Sequence, residues 1–78
     1  NVGFTLYPNP AFSEIIIENN KGVAINEATI VSINGQVLQK ISTTETVLKI
    51  NVSELQSGIY FVKLNTNEGI FIQKFLKN

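Results

Sequence analysis

The chain has 78 residues, which corresponds to one small domain. It contains no Cys, His, Met, Trp, Arg or Asp, and this excludes disulfides, zinc sites of the usual ligands and nucleophile systems that use Cys or His. Six Lys balance six Glu, so the zero net charge argues against a nucleic-acid partner, and the composition predicts no enzyme, cofactor or metal.

Strand-forming residues dominate the sequence. Ile, Val and Thr together supply 24 of the 78 residues, and such β-branched side chains favour pleated sheets over helices. Apolar residues recur with a period of two between turn residues, which is typical of strands. Seven short strands at this spacing predict an all-β chain folded as an antiparallel β-sandwich. The predicted strands cover residues 4–7, 14–18, 28–32, 36–41, 46–52, 59–65 and 70–76.

The alternation also predicts which side chains face the core. Ile15 and Ile17 point inward from the second strand. Leu48, Ile50 and Val52 share one face of the fifth strand, and Tyr60, Val62 and Leu64 share one face of the sixth. The last strand is undecided, because Ile70, Ile72 and Leu76 compete with Phe71 and Phe75. Apolar side chains on the opposite faces would form an exposed patch that contacts a partner if they are not covered; they are Ile16, Val31, Ile59 and Phe61.

An Asn-Gly pair joins the third and fourth strands. A two-residue loop would pair Ile30 with Gln39, whereas the three-residue loop 33–35 pairs Val31 with Val37 and Ile30 with Leu38. Cross-strand partners share an environment, so the pairing of like with like favours the three-residue loop. Such a loop is a type I turn closed by a bulge, and it needs the left-handed conformation that Gly35 adopts easily.

Two further segments are candidates for recognition. In Tyr7-Pro8-Asn9-Pro10 the prolines cannot donate ladder hydrogen bonds, so the segment is either a stiff corner with the Tyr7 ring packed on the sandwich or a recognition surface. In the segment 55–60, Leu55 is predicted to close one end of the sandwich, and Gly58 to let the backbone turn into the Tyr60 strand. Every Lys is predicted to lie on an exposed face.

Taken in order, these landmarks resemble the C-terminal sorting domain of type IX secretion substrates, in the type A form found in Bacteroidetes and served by the Por secretion system. The resemblance extends from about residue 5 to residue 77. The residues that carry it are Tyr7, Pro8, Asn9, Pro10, the strand at 15–17, Asn34, Gly35, Gln36, Leu55, Gly58, Ile59, Tyr60, Val62, Lys63, Leu64 and Lys74.

The resemblance implies an Ig-like sandwich that acts as a secretion signal without chemistry of its own. Such domains end large exported proteins, dock on the outer-membrane translocon from the periplasm and are usually removed by a sortase, so that the cargo is released or attached to the cell surface. The expected partners are the translocon, the sortase and an N-terminal cargo domain in the same chain. Nucleic acids and small-molecule substrates are not expected.

The predicted docking edge consists of the strands at 59–65 and 70–76. Lys74 and Lys77 would supply polar contacts there, although charged residues that protect an exposed strand from aggregation explain them equally well. The residues proposed to line this edge are Phe61, Lys63, Phe71, Lys74 and Lys77.

Residues 1–78 are expected to form a single domain cut from a larger secreted protein, since the chain does not begin with Met. Two other functions compete with sorting. One is an accessory β-sandwich module that binds carbohydrate or another surface ligand, which the absence of Trp disfavours. The other is an inert spacer.

Overall fold

Two antiparallel β-sheets pack face to face in the computed structural model, which describes residues 4–19 and 21–78. The strand bounds match the predicted ones closely, and the main difference is an earlier start of the third strand, at Ile25. The seven strands are β1 (Phe4–Tyr7), β2 (Glu14–Asn19), β3 (Ile25–Ser32), β4 (Val37–Ser42), β5 (Val47–Asn51), β6 (Gly58–Thr66) and β7 (Gly69–Lys77).

The sheet order is that of an Ig-like sandwich. One sheet has three strands in the order β1-β2-β5, and the other has four in the order β4-β3-β6-β7. Every neighbouring pair of strands is antiparallel, and the chain crosses between the sheets after β2, β4 and β5. The predicted all-β sandwich of seven strands is therefore confirmed.

The core lies between the two sheets and contains the side chains that the alternation placed there. The tie in β7 is resolved in favour of the aromatic residues, since Phe75 is buried and Phe71 packs against the core while Ile72 is 66% exposed. Burial of these side chains is the main stabilising contribution to the fold. The buried apolar residues are Ala11, Ile15, Ile17, Ile25, Ala28, Ile30, Leu48, Ile50, Val52, Val62, Leu64 and Phe75.

The β3–β4 hairpin begins as predicted and then departs from the predicted register. The Ser32 N–H donates to the Gln36 carbonyl at 2.8 Å, and Gly35 has a φ of 91°, as the three-residue loop requires. A bulge follows, so Ile30 lies opposite Gln39 and not Leu38. The shift has a clear benefit, since it places Ile41 opposite Ala28 on the core side. Without it Lys40 would occupy that position.

Because successive strands alternate in direction, the loops divide between the two ends of the sandwich. The β1–β2, β3–β4 and β5–β6 connections and the end of β7 lie at one end. This end, which we call the motif end, carries the segment 7–10, the Asn34-Gly35 turn and the segment 55–58. The loops at the opposite end contain none of the landmarks that the sequence analysis singled out.

Candidate functional site

Strand β7 is an edge strand, and part of its edge is open. Residues 69, 71, 73, 75 and 77 bond to β6, so the backbone groups of Ile70, Ile72, Lys74 and Leu76 point away from the sheet. At Leu76 these groups are already occupied. The stretch formed by Ile70, Ile72 and Lys74, here called the open edge, offers N–H and C=O groups to an additional strand, and its one internal contact is a 3.3 Å hydrogen bond from Gln73 Nε2 to the Lys74 carbonyl among the described residues.

The corner formed by residues 8–11 covers the end of β7. The Leu76 N–H donates to Asn9 Oδ1 at 3.0 Å, and the Ala11 N–H donates to the Leu76 carbonyl at 2.7 Å. The Asn78 N–H in turn donates to the Ala11 carbonyl at 2.8 Å, so Ala11 runs parallel to Lys77 as a short bridge. The Tyr7–Pro8 and Asn9–Pro10 peptide bonds are both cis. The segment that follows β1 is thus joined by hydrogen bonds to the end of β7 at the motif end.

Tyr7 ends β1 on the outer side of the three-stranded sheet. Its hydroxyl donates to a carboxylate oxygen of Glu18 at 2.8 Å. This hydrogen bond and the negative charge of Glu18 hold the pKa of Tyr7 above its ordinary value. The ring remains 39% exposed. The segment 7–10 therefore acts as a structural corner while it also presents an aromatic ring to solvent.

Substitution of Asn9 tests the corner. Asn9→Ala removes the acceptor of the Leu76 N–H, and we expect it to lower the free energy of unfolding by about 1 kcal/mol. Amide hydrogen exchange at Leu76 should become faster, while exchange in the middle of β6 should stay slow until the whole domain unfolds. The matched control is Asn65→Ala, at an exposed strand position. Unchanged protection of Leu76 in Asn9→Ala would contradict the role of this hydrogen bond.

The segment 55–60 has the structural role that the sequence predicted. Leu55 packs against the core, and the Leu55 carbonyl accepts a hydrogen bond from Lys77 Nζ at 3.0 Å. The Tyr60 hydroxyl donates to the Gln56 carbonyl at 2.7 Å, and the Tyr60 ring stacks on Phe75 at a centroid distance of 5.7 Å. Gly58 has a φ of 154°, a backbone conformation that residues other than glycine rarely adopt. This segment anchors the end of β7 from the core side.

The five residues of the predicted docking edge divide between the two sides of the four-stranded sheet. Phe61 and Lys74 lie opposite each other on the side away from the core, and Lys63 follows two residues along β6. Phe71 faces the core, where its ring lies 5.3 Å from that of Phe4.

The prediction that every Lys is exposed is wrong for Lys77. Its side chain is only 7% exposed, and Nζ donates to the carbonyls of Leu55 and Asn78. Lys77 shares the core face of β7 with Phe71 and Phe75. The alternation along β7 would have predicted a buried position, but the residue was assigned to the surface because it is charged. Among the other landmarks, Val62 is fully buried, Ile59 is 39% exposed and Asn34 is exposed at the turn.

The sequence analysis missed the contact between Asn9 and Leu76. The two residues are 67 positions apart, and neither periodicity nor turn chemistry relates them. It also missed that Lys40 and Lys63 lie on either side of Thr29 on one face of the four-stranded sheet. Within residues 4–19 and 21–78 we find no cluster of His, Cys, Asp or Glu that could hold a metal ion. The same ranges contain no helix long and apolar enough to cross a membrane.

Comparison with known proteins agrees with the family that the sequence resembles and with the observed fold. A family model described as the secretion system C-terminal sorting domain matches residues 5–78. Karilysin of Tannerella forsythia is 27% identical over 85 residues, an alignment that covers 95% of this chain and 18% of Karilysin. The chain therefore spans less than a fifth of that relative. The crystal structure of CopC from Methylosinus trichosporium OB3b superposes with a TM-score of 0.59 at 16% identity, covering 96% of this chain and 91% of CopC. This likeness concerns the fold alone.

Proposed function

We propose that this chain, which belongs to the family of secretion system C-terminal sorting domains, is recognised as a folded sandwich through the open edge of β7. The general function of the chain follows from its family. A domain of this family is the C-terminal sorting signal for type IX secretion, so the protein that carries it is secreted or displayed at the cell surface. The signal interacts with the secretion machinery and is attached to an N-terminal cargo region.

The observation that carries the proposal is the contrast between the two halves of the β7 edge. Near the motif end, the backbone groups of Leu76 bond to Asn9 and Ala11. Toward the β6–β7 turn, the open edge bonds to no other strand among the described residues. A component of the translocon can add a strand there, because main-chain hydrogen bonds supply affinity without reading particular side chains. The covered half fixes where such pairing must stop.

Recognition requires no catalysis by this domain. The family is one of sorting signals, and the sequence lacks the Cys, His and Asp from which nucleophile systems are usually built. The zero net charge supports a protein partner over a nucleic acid. We further propose that residues 1–78 form one domain at the end of a larger exported chain, and that a sortase removes it after transport.

A proline at position 72 tests recognition through the open edge. The N–H of Ile72 points away from β6, so Ile72→Pro leaves the β6–β7 ladder intact but blocks pairing with an incoming strand. Residues 1–78 are fused to the end of a periplasm-directed fluorescent protein in a bacterium with a type IX pathway. Because one lost main-chain hydrogen bond contributes about 1 kcal/mol, we expect export to fall about fivefold.

The matched control is Lys49→Pro on β5, one of the two edge strands of the other sheet. The N–H of Lys49 also points away from β2. Ile50 and Val52 form the backbone hydrogen bonds on that side, and the direction of the backbone groups alternates along the strand. Lys49→Pro should be exported like the unchanged fusion. Equal export of Ile72→Pro and Lys49→Pro would contradict recognition through the open edge. Retention of the unchanged fusion in the periplasm would contradict the sorting function of this chain.

A further inference from the structure

The side of the four-stranded sheet that faces away from the core, here called the outer face, is unusually apolar. Val37 is 56% exposed, Ile70 58% and Ile72 66%, although each belongs to a strand of the sheet. Val31 and Phe61, at the centre of the same face, are half-buried. The patch continues to the motif end through Ile33, Ile59 and Leu76, which are 71%, 39% and 41% exposed. Exposed apolar surfaces of this extent mark contact sites.

The outer face is also concave. A groove of about 370 Å³ crosses β3 and opens to solvent between its neighbours. Thr29 lies in its floor and is 7% exposed. The residues lining the groove include Glu27, Val31, Val37, Lys40, Lys63 and Ile70. A partner with a protruding side chain or loop fits this groove better than a partner with a flat surface does.

The charges on this face have one dominant sign. Lys40 and Lys63 lie on either side of Thr29, because both are its direct cross-strand partners. Lys74 adds a third positive charge opposite Phe61, and Glu27 is the acidic residue among the described side chains of this face. Three Lys against one Glu give a net charge of +2, although the whole chain has none. No ion pair within the described part of the chain neutralises these lysines.

We propose that the outer face docks an acidic protein surface with an apolar centre, in addition to the strand pairing proposed for the open edge. The inference rests on the proposed function, since the partner belongs to the export machinery. Aliphatic residues of that partner would cover Val37, Ile72 and Phe61, and its carboxylates would pair with Lys40 and Lys63. Rim charges of this kind steer association and select the partner.

The charge distribution disfavours a second copy of this chain as the occupant. A two-fold symmetric contact through the outer face would place the lysines of one copy against those of the other. Docking of an acidic partner has no such conflict. The open edge borders the outer face, because the side chains of Ile70, Ile72 and Lys74 lie on that face while their backbone groups form the edge. One partner can therefore contact both.

Charge reversal on the exported fusion tests the proposal. The double variant Lys40→Glu/Lys63→Glu should be exported about tenfold less than the unchanged fusion. Its control, Lys21→Glu/Lys49→Glu, changes the net charge equally at exposed positions elsewhere and should be exported normally. Thermal unfolding of each purified domain verifies that it is folded. If the first double variant does not fold, Lys40→Gln/Lys63→Gln removes the same charges and should also reduce export. Equal export of the outer-face variants and the control would overturn the proposal.

Crosslinking identifies the partner class directly. A photo-crosslinking amino acid replaces Val37 or, as the control, Val47, which is similarly exposed at 51% on the other sheet. During export, position 37 should crosslink to a peptide of the secretion machinery that is rich in Asp and Glu, and position 47 should not. Crosslinking of position 37 to a second copy, or equally from both positions, would overturn the proposal. If Ile72→Pro still lowers export when the crosslinking result is negative, recognition through the open edge stands and only docking on the outer face is overturned.

Discussion

Phe75→Ala is expected to lower the free energy of unfolding by about 3–5 kcal/mol. Phe75 is 1% exposed, lies in the core between the sheets and stacks on Tyr60. Truncation removes a large apolar side chain and leaves a cavity that the two sheets cannot close without moving. A domain of 78 residues has a stability of roughly 4–12 kcal/mol, so this change removes a large part of it. Urea unfolding followed by tyrosine fluorescence measures the loss.

The control for Phe75→Ala lies on the same strand. Ile72→Ala truncates an apolar side chain that is 66% exposed on the outer face. Its effect on the free energy of unfolding should stay within about 0.5 kcal/mol, as is usual at the surface. The two variants also separate fold from docking, because Ile72 contributes to the outer face and Phe75 does not. A small effect of Phe75→Ala, comparable to that of Ile72→Ala, would show that the core is not packed as described.

Local patterns were sufficient to predict the strands. Alternation placed Ile15 and Ile17 inside, because a strand that is half buried reads as a period of two. The three-residue turn at Gly35 followed from the pairing of Val31 with Val37. These features depend on residues close in sequence or on direct cross-strand neighbours, and both leave a recognisable pattern.

The remaining features depend on contacts that leave no local pattern. The bulge between Ile30 and Val31 can be recognised only when the positions of Lys40 and Ile41 relative to the core are considered together. The contact of Asn9 with Leu76 joins residues that are distant in sequence, through one side-chain oxygen and one backbone amide. The docking edge was predicted on β6 and β7, but the pattern of inward and outward residues had to be known before Phe71 and Lys77 could be separated from Phe61 and Lys63.

These contacts link the segment that follows β1 to the end of β7. The segment 8–11 precedes β2 and is bonded to the last residues of β7, so it stabilises the end of β7 in addition to the contacts with β6 and Leu55. In the proposed recognition, strand pairing at the open edge begins next to Leu76, whose backbone groups are already hydrogen-bonded. The proposed recognition therefore takes the folded sandwich, with its covered and open stretches of β7, as the unit that is recognised.

The buried lysine provides the sharpest separation of stability from recognition. Lys77→Glu places a carboxylate where the carbonyl oxygens of Leu55 and Asn78 accept hydrogen bonds, in a position that is 7% exposed. A buried charge without a partner typically costs about 3–5 kcal/mol, so this variant should unfold at a much lower urea concentration and its export should fall. Lys74→Glu makes the same change at an exposed position on the same strand. It should unfold at the same urea concentration as the unchanged domain, yet its export should fall because Lys74 belongs to the outer face. Loss of stability in Lys74→Glu, or its retention in Lys77→Glu, would contradict the assignment of these two side chains to opposite sides of the sheet.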